Sequence, residues 1–246
     1  MGFESEEVII ARRYRGPPDS ANGGYACGLV ARHIDGSARV RLNVPPPLEQ
    51  PLTIRMPDPA HATMLLDEQV VAEGVGIESD GEIPEPVDVE TAIRSSQKFR
   101  WRTGHPFAGC FVCGPARHAG DGLCIFPGPV AERRIVAAPW VPDPSVCDAN
   151  GIVHREVVWA ALDCPSWFGL LEFEPGTTVG LLGQLAVHIV RRPTVRESCV
   201  AIGWSSGRSG RKLRGGAALY TSDGVLLGSS SAIWIEPKES STVNAV

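Results

Sequence analysis

Between Val157 and Leu171 the chain reads VVWAALDCPSWFGLL, fifteen residues with a single charge, Asp163. A helix that is apolar all round has no face to turn to water, so this one is predicted to be buried over most of its circumference. The rest of the chain has to supply the cover. It holds 27 glycines and 21 prolines spread along 246 residues. Breakers at that density leave little room for long helices, and the apolar stretches between them read as strands. The expected class is α+β, with a few helices packed against sheet. An ionised carboxylate on such a helix is costly unless it is paired, and otherwise it holds its proton more tightly. That makes Asp163 a functional candidate. Two structural readings stand beside it: an Asp that caps a turn around Pro165, or one that pairs with an arginine across the core.

The chain falls into two halves with the same grammar. In the first, a strand at 8–14 leads through Gly16-Pro17-Pro18 and Asn22-Gly23-Gly24 into a helix over 25–34, then strands at 38–44, 50–56 and 63–78, the last with a break expected at Gly74 or Gly76. In the second, a strand at 134–138 leads through Pro142-Asp143-Pro144 into a helix from Arg155 to about Leu171. Strands follow at 180–190, 198–204, 214–221 and 225–235, the last two joined by a Ser222-Asp223-Gly224 turn. One offset aligns Val40 with Val187, Leu42 with Ile189, Pro46 with Pro193 and Leu48 with Val195, an internal repeat. Between the halves, Glu78 to Glu90 carries six acidic residues, no basic ones and two prolines, the pattern of a solvated linker. The predicted units are 1–78, a linker at 79–107, a second unit at 108–237 and a tail at 238–246.

No apolar run approaches the roughly 20 residues of a membrane helix, and the opening MGFESEEVII lacks the basic start of a signal peptide. A net charge of −5 gives no global reason to expect a nucleic-acid or membrane partner. Seven cysteines, an odd number, are read as reduced thiols of a cytoplasmic protein.

Consecutive glycines at a helix start uncover backbone N–H groups at the positive end of the helix dipole, where a carbonyl can be polarised; an ordinary glycine turn has the same sequence. The stretch from Gly151 through His154 to Asp163 resembles the central-helix signature of the hotdog-fold acyl-CoA thioesterases, the phenylacetate type in particular. In that signature a His-Gly-Gly turn precedes an aspartate nine residues after the histidine. Asp163 stands nine after His154, but Arg155 and Glu156 occupy the glycine positions. Asn22-Gly23-Gly24-Tyr25 resembles the same turn with asparagine for histidine, and Ala31 stands where its acid belongs. The resemblance implies a double hotdog, each half a curved antiparallel sheet around a central helix, and further association into a homo-oligomer. It also implies one surviving composite site, with the glycine turn from the first half and the acid from the second. Its mate, Ala31 opposite Arg155-Glu156, is expected to be dead.

The implied activity is hydrolysis of an acyl-CoA or related thioester, a small-molecule substrate, with no cofactor beyond the coenzyme A of the substrate itself. Asp163 would act as base or nucleophile. The N–H of Gly24 or Gly23 would polarise the carbonyl, with Asn22 helping to hold its oxygen. Tyr25, Trp159 and Glu156, on the two helices, are expected at the substrate, and Glu156, two turns before Asp163, is the rival acid. Seven basic residues between Arg191 and Arg214 face one acid, Glu197, and among them Arg208, Arg211 and Lys212 are candidates for the phosphates of coenzyme A; a solvated hairpin fits them as well. Cys110-Phe-Val-Cys113 with His105, His118 and Cys124 nearby offers a possible zinc site. No second Cys-x-x-Cys closes it, and the stretch CFVCGPARHAGDGLCIF also resembles a Cys-x-x-Cys-Gly turn ahead of the first strand in some hotdog proteins, where no metal is implied, so no metal is assigned. Two other functions remain open: a hotdog hydratase or dehydratase, disfavoured because no histidine follows Asp163 until His188, and a non-catalytic acyl-thioester or lipid-binding protein.

Overall fold

The computed structural model describes residues 4–78 and 81–237; the tail at 238–246 lies outside them. The first half contains β1 (Glu4–Ile9), α1 (Gly23–Ala31), β2 (Ser37–Leu42), β3 (Pro51–Asp58), β4 (His61–Leu66) and β5 (Gln69–Ile77). A connecting helix, α2 (Val89–Gln97), leads to the second half: β6 (Gly128–Pro129), β7 (Ile135–Trp140), α3 (Arg155–Ala161), α4 (Cys164–Phe173), β8 (Leu181–Ile189), β9 (Cys199–Ser209), β10 (Lys212–Thr221) and β11 (Leu226–Ile235). The strands form one eleven-stranded antiparallel sheet in the order β1-β3-β4-β5-β2-β8-β11-β10-β9-β7-β6. Reading outward from the β2–β8 junction, the two halves present the same order of equivalent strands.

That junction is the internal repeat made physical. Arg39 pairs with Ala186, and Val40 with Leu185 just as Ala38 pairs with Val187. Under the offset that aligns Val40 with Val187, Arg39 faces its own equivalent, and the two flanking pairs exchange places. The register is therefore that of a local two-fold axis through Arg39 and Ala186.

Side chains alternate across the sheet. On β7, Val136 and Ala138 point into the main core, while Ile135 and Ala137 join a second cluster on the outer face. Helices α1 and α3 lie side by side on the core side and run in opposite directions. The backbone near Gly24 meets Asp163 and Ala160, and that near Gly28 meets Glu156. A Cβ on Gly28 would stand 2.4 Å from the Glu156 Cα, and one on Gly24 2.5 Å from the Asp163 Cβ. Two glycines four apart thus form a seam that lets the helices touch backbone to backbone.

Three local expectations are corrected. The 63–78 stretch is two strands, and the chain turns at Asp67-Glu68 rather than at Gly74 or Gly76; Asp67 takes a left-handed φ of 51°, which Asp tolerates in tight turns. The first strand ends at Ile9, and Arg12–Tyr14 form a 3-10 turn. The apolar helix is not continuous over 155–171. It breaks after Ala161 and restarts at Cys164, because Pro165 lacks an N–H and its ring collides with the carbonyl four residues back. The Leu162 carbonyl finds a donor in the Ser230 hydroxyl at 2.8 Å, and Ser166 Oγ donates to the Asp163 carbonyl at 2.7 Å.

The segment read as a linker also carries structure. Asp88 caps α2 by accepting from the Thr91 N–H at 2.6 Å. Ala92 then packs on the outer cluster with Ile135, Ala137, Val200 and Ile202. Upstream, the Tyr220 hydroxyl donates to the Pro84 carbonyl at 2.8 Å, and Arg133 donates to the carbonyls of Glu85 and Pro86. Among the described residues, no helix is long and apolar enough to cross a membrane.

Candidate active site

Asn22 caps α1. Its Oδ1 accepts from the Tyr25 N–H at 2.9 Å, and its backbone carbonyl takes the Ala26 N–H. This leaves the side-chain amide of Asn22 pointing away from its own helix. It donates to Asp163 Oδ2 at 3.0 Å, and the Gly24 N–H donates to the same oxygen at 2.9 Å. The glycine turn of one half and the acid of the other therefore meet, across 141 residues of chain.

Asp163 is 1% exposed. Neither structural reading of it holds: among the described residues its carboxylate caps no turn around Pro165 and pairs with no arginine. Burial raises its pKa to about 7, against the opposing pull of the Gly24 N–H and the Asn22 amide. Oδ2 carries both hydrogen bonds, whereas Oδ1 is buried with no partner. Of the first-turn N–H groups of α1, Gly24 serves Asp163 and Tyr25 serves Asn22. That leaves the N–H of Gly23 without an acceptor among the described residues.

These groups open on a cavity of about 240 Å³ between the halves. Its apolar wall comes from both sides: Leu42 and Val44 of the first half, Leu182, Trp167, Phe168 and Leu171 of the second. Asn22, Gly23 and Asp163 lie in its lining, joined by His105, Cys110, Cys113 and Cys164. His105 Nδ1 accepts from the Phe107 N–H at 2.9 Å, which places the proton of the neutral ring on Nε2. Burial lowers the pKa of His105 and keeps it neutral, and Nε2 is a buried donor without a partner. A larger cavity, about 620 Å³, is bordered by His188, Trp204 and Ser229–Ser231 and by the acidic segment around Glu82; none of Asn22, Gly23 or Asp163 borders it.

The remaining candidates lie elsewhere. Tyr25 stacks on Tyr14 with ring centroids 4.0 Å apart and meets Phe111 edge-on, packing that turns it away from the cavity lining. Trp159 is wholly buried at the helix seam. Glu156, the rival acid, lies half-buried in the first turn of α3 against Gly28 and does not border the cavity. Arg208 is committed to Glu236 and Thr177, Arg211 to the Glu236 carbonyl, and Lys212 starts the exposed end of β10; none lines the cavity. At the mate position Ala31 is fully buried, and Arg155 reaches the Gly36 carbonyl at 2.7 Å.

Sequence reasoning missed His105, which appeared only as a flanking histidine of the cysteine pair; Trp167, Phe168 and Leu171 were covered only by the general expectation that apolar residues around the two helices line an acyl channel. The signal was the Asp163-Cys-Pro sequence itself, since a break there turns the next helix into a cavity wall.

No protein-family model and no curated protein matches the sequence. Solved structures do, over nearly the whole chain. The tesB protein of Mycobacterium avium subsp. paratuberculosis is 13% identical, with 96% of each chain covered and a TM-score of 0.61. The acyl-CoA thioesterase II TesB2 of Mycobacterium marinum is 9% identical, with 97% of each covered and a TM-score of 0.62. A protein with a hot dog fold from Alicyclobacillus acidocaldarius is 11% identical, with 96% of each covered and a TM-score of 0.58. With its mirrored strand order, paired central helices and full-length superposition on these structures, the chain has the double-hotdog fold.

Proposed function

We propose that this protein hydrolyses an acyl thioester, an acyl-CoA by preference, in the cavity between its halves. The observation that carries the reading is the division of labour on Asp163, a residue of the cavity lining: Oδ2 is fixed by the Gly24 N–H and the Asn22 amide, and Oδ1 is buried without a partner. Oδ1 takes a proton from water as that water attacks the thioester carbon. The carbonyl oxygen, which gains charge, is met by the Gly23 N–H at the positive end of α1 and by His105 Nε2–H. The C–S bond then breaks, and the sulfur leaves as a thiol with the proton Asp163 had accepted. Gly24 and Asn22, first expected to hold the substrate oxygen, act here as positioning residues for the acid. The cavity is smaller than a drug-sized site and walled by apolar side chains, which suits a short acyl group. The fold shared with the TesB2 thioesterase supports the reaction class.

The test is release of free thiol from a panel of short, long and aromatic acyl-CoAs, with Asp163→Asn beside wild type. Release by wild type that the variant loses supports the proposal. Binding of acyl-CoA without release by wild type overturns it in favour of a binding protein, and conversion without thiol release points to a hydratase. In single turnover in ¹⁸O-water, label found in Asp163 identifies attack by Oδ1 itself, with water then opening the anhydride at the Asp163 carboxyl carbon.

A further inference from the structure

The break at Asp163 has a second product. It places Cys164 at the start of α4, where its side chain meets the Cys110-Phe-Val-Cys113 turn from a distant part of the chain. The three sulfurs are buried and all lie within 4.8 Å of one another, with Cys110 Sγ and Cys164 Sγ 3.8 Å apart. A sulfur–sulfur bond of about 2.05 Å is not what this spacing describes. Four ligands on a tetrahedron with zinc–sulfur bonds of about 2.3 Å stand about 3.8 Å from one another.

The surroundings agree with bound thiolates. Asn22 Nδ2, besides holding Asp163, lies 3.7 Å from Cys164 Sγ in hydrogen-bonding geometry. The Gly114 N–H closes the Cys110 turn on the Cys110 carbonyl at 3.0 Å. N–H donors and fixed turns around a ligand are what orient sulfur on a metal. The donor set narrows the ion. Three thiolates favour a soft or borderline cation, and an iron–sulfur cluster held by protein alone calls for four. His105 is not the fourth ligand, because its Nε2 carries the ring proton. Asp163 is not part of the three-sulfur group. All three cysteines border the cavity, so the fourth position of a tetrahedral ion faces the space where the substrate is placed.

We infer that Cys110, Cys113 and Cys164 form a binding site for one zinc ion, three thiolates with the fourth coordination position open to the cavity between the halves. Binding releases three protons to solvent as the thiols ionise. The site does not depend on the thioesterase reading, because its occupancy is measured without substrate.

The experiment is metal analysis of the full chain, purified with a reductant, incubated with zinc and dialysed free of excess. About one zinc per chain is expected. Cys110→Ser and Cys164→Ser are expected to lower this about tenfold or more, the loss of a thiolate from a four-coordinate site. Cys199→Ser, a buried thiol outside the cluster, keeps it. Circular dichroism confirms that each variant folds. If the cluster variants fail to fold, cobalt exchange in wild type decides: thiolate-to-cobalt charge transfer in the near ultraviolet with tetrahedral visible bands supports the site, and octahedral bands overturn it. A wild type that holds less than about a tenth of a zinc per chain, a disulfide within the cluster under reducing conditions, zinc retained by folded Cys164→Ser, or copper in place of zinc would each overturn it.

Discussion

Helices α1 and α3 occupy equivalent places in the two halves, lie against each other in opposite directions, and have diverged in opposite ways. Helix α1 keeps a bare glycine start and has Ala31 where an acid would stand. Helix α3 begins with Arg155 and Glu156 but ends at Ala161, and the chain continues through a break at Leu162-Asp163 into α4, which has no counterpart in the first half. The first half runs from Ala31 to β2 in a short turn, whereas the second inserts ten helical residues before β8. That insertion walls the cavity with Trp167, Phe168 and Leu171 and delivers Cys164 to the other two thiols. A paired fold with near-symmetric sheet register can thus be strongly asymmetric in its helices. The chemistry gathers where the bare helix start of one half meets the broken helix of the other.

The largest effect that would sharpen this contrast belongs to Asp163→Asn. It keeps the shape of the side chain and removes the base, and thiol release is expected to fall by about 10²- to 10⁴-fold, the usual worth of a positioned acid or base. An attempt to restore symmetry should fail. Ala31→Asp puts a carboxylate at a fully buried position, and about 2–5 kcal/mol of stability is expected to be lost. A carboxylate forced to stay neutral in the fold costs more as pH rises above its unfolded value, so the variant's deficit in Tm should be larger at pH 7 than at pH 4. No second activity should appear. Gly28→Ala attacks the seam shared by both helices: its Cβ would meet the Glu156 Cα backbone. A cost of about 1–3 kcal/mol is expected in chemical denaturation, with thiol release reduced as Asp163 shifts away from the cavity. Glu156→Gln should be the quietest, changing thiol release by less than about twofold, since it removes a helix-start charge far from the chemistry; a loss matching that of Asp163→Asn would move the acid to Glu156.

Much of this contrast was legible in the chain. The lone charge in an apolar run marked Asp163 as a buried acid, and Asn22-Gly23-Gly24 marked the partner turn. The Val40–Val187 repeat marked the halves as copies of one unit, and the structure adds that the two repeated strands are the ones that meet at the junction. Legibility ended where local pattern and tertiary demand diverge. The run from Val157 to Leu171 is uniformly apolar, so periodicity gave no reason to end a helix inside it; the reason is a single ring at Pro165. The acidic stretch before Asp88 looked solvated because its side chains are, while its backbone carbonyls are held by Tyr220 and Arg133. Arg208 and Arg211 formed a basic patch on paper, yet Glu236, outside the window that defined the patch, takes both. The third thiol escaped for the same reason: Cys164 is remote in sequence from the other two, and a spacing rule sees only neighbours.

The Asn22–Asp163 bond also bears on how the molecule comes to be active. Its partners enter the chain 141 residues apart, so the first half can form its sheet and helix during synthesis while the groove along Gly24 and Gly28 waits empty. Closing so long a loop carries an entropic cost that is recovered only when α3 lies down in that groove. The order of assembly then sets the order of failure. Under mild denaturant, activity should disappear when the helices part, while the strands of each half are still paired.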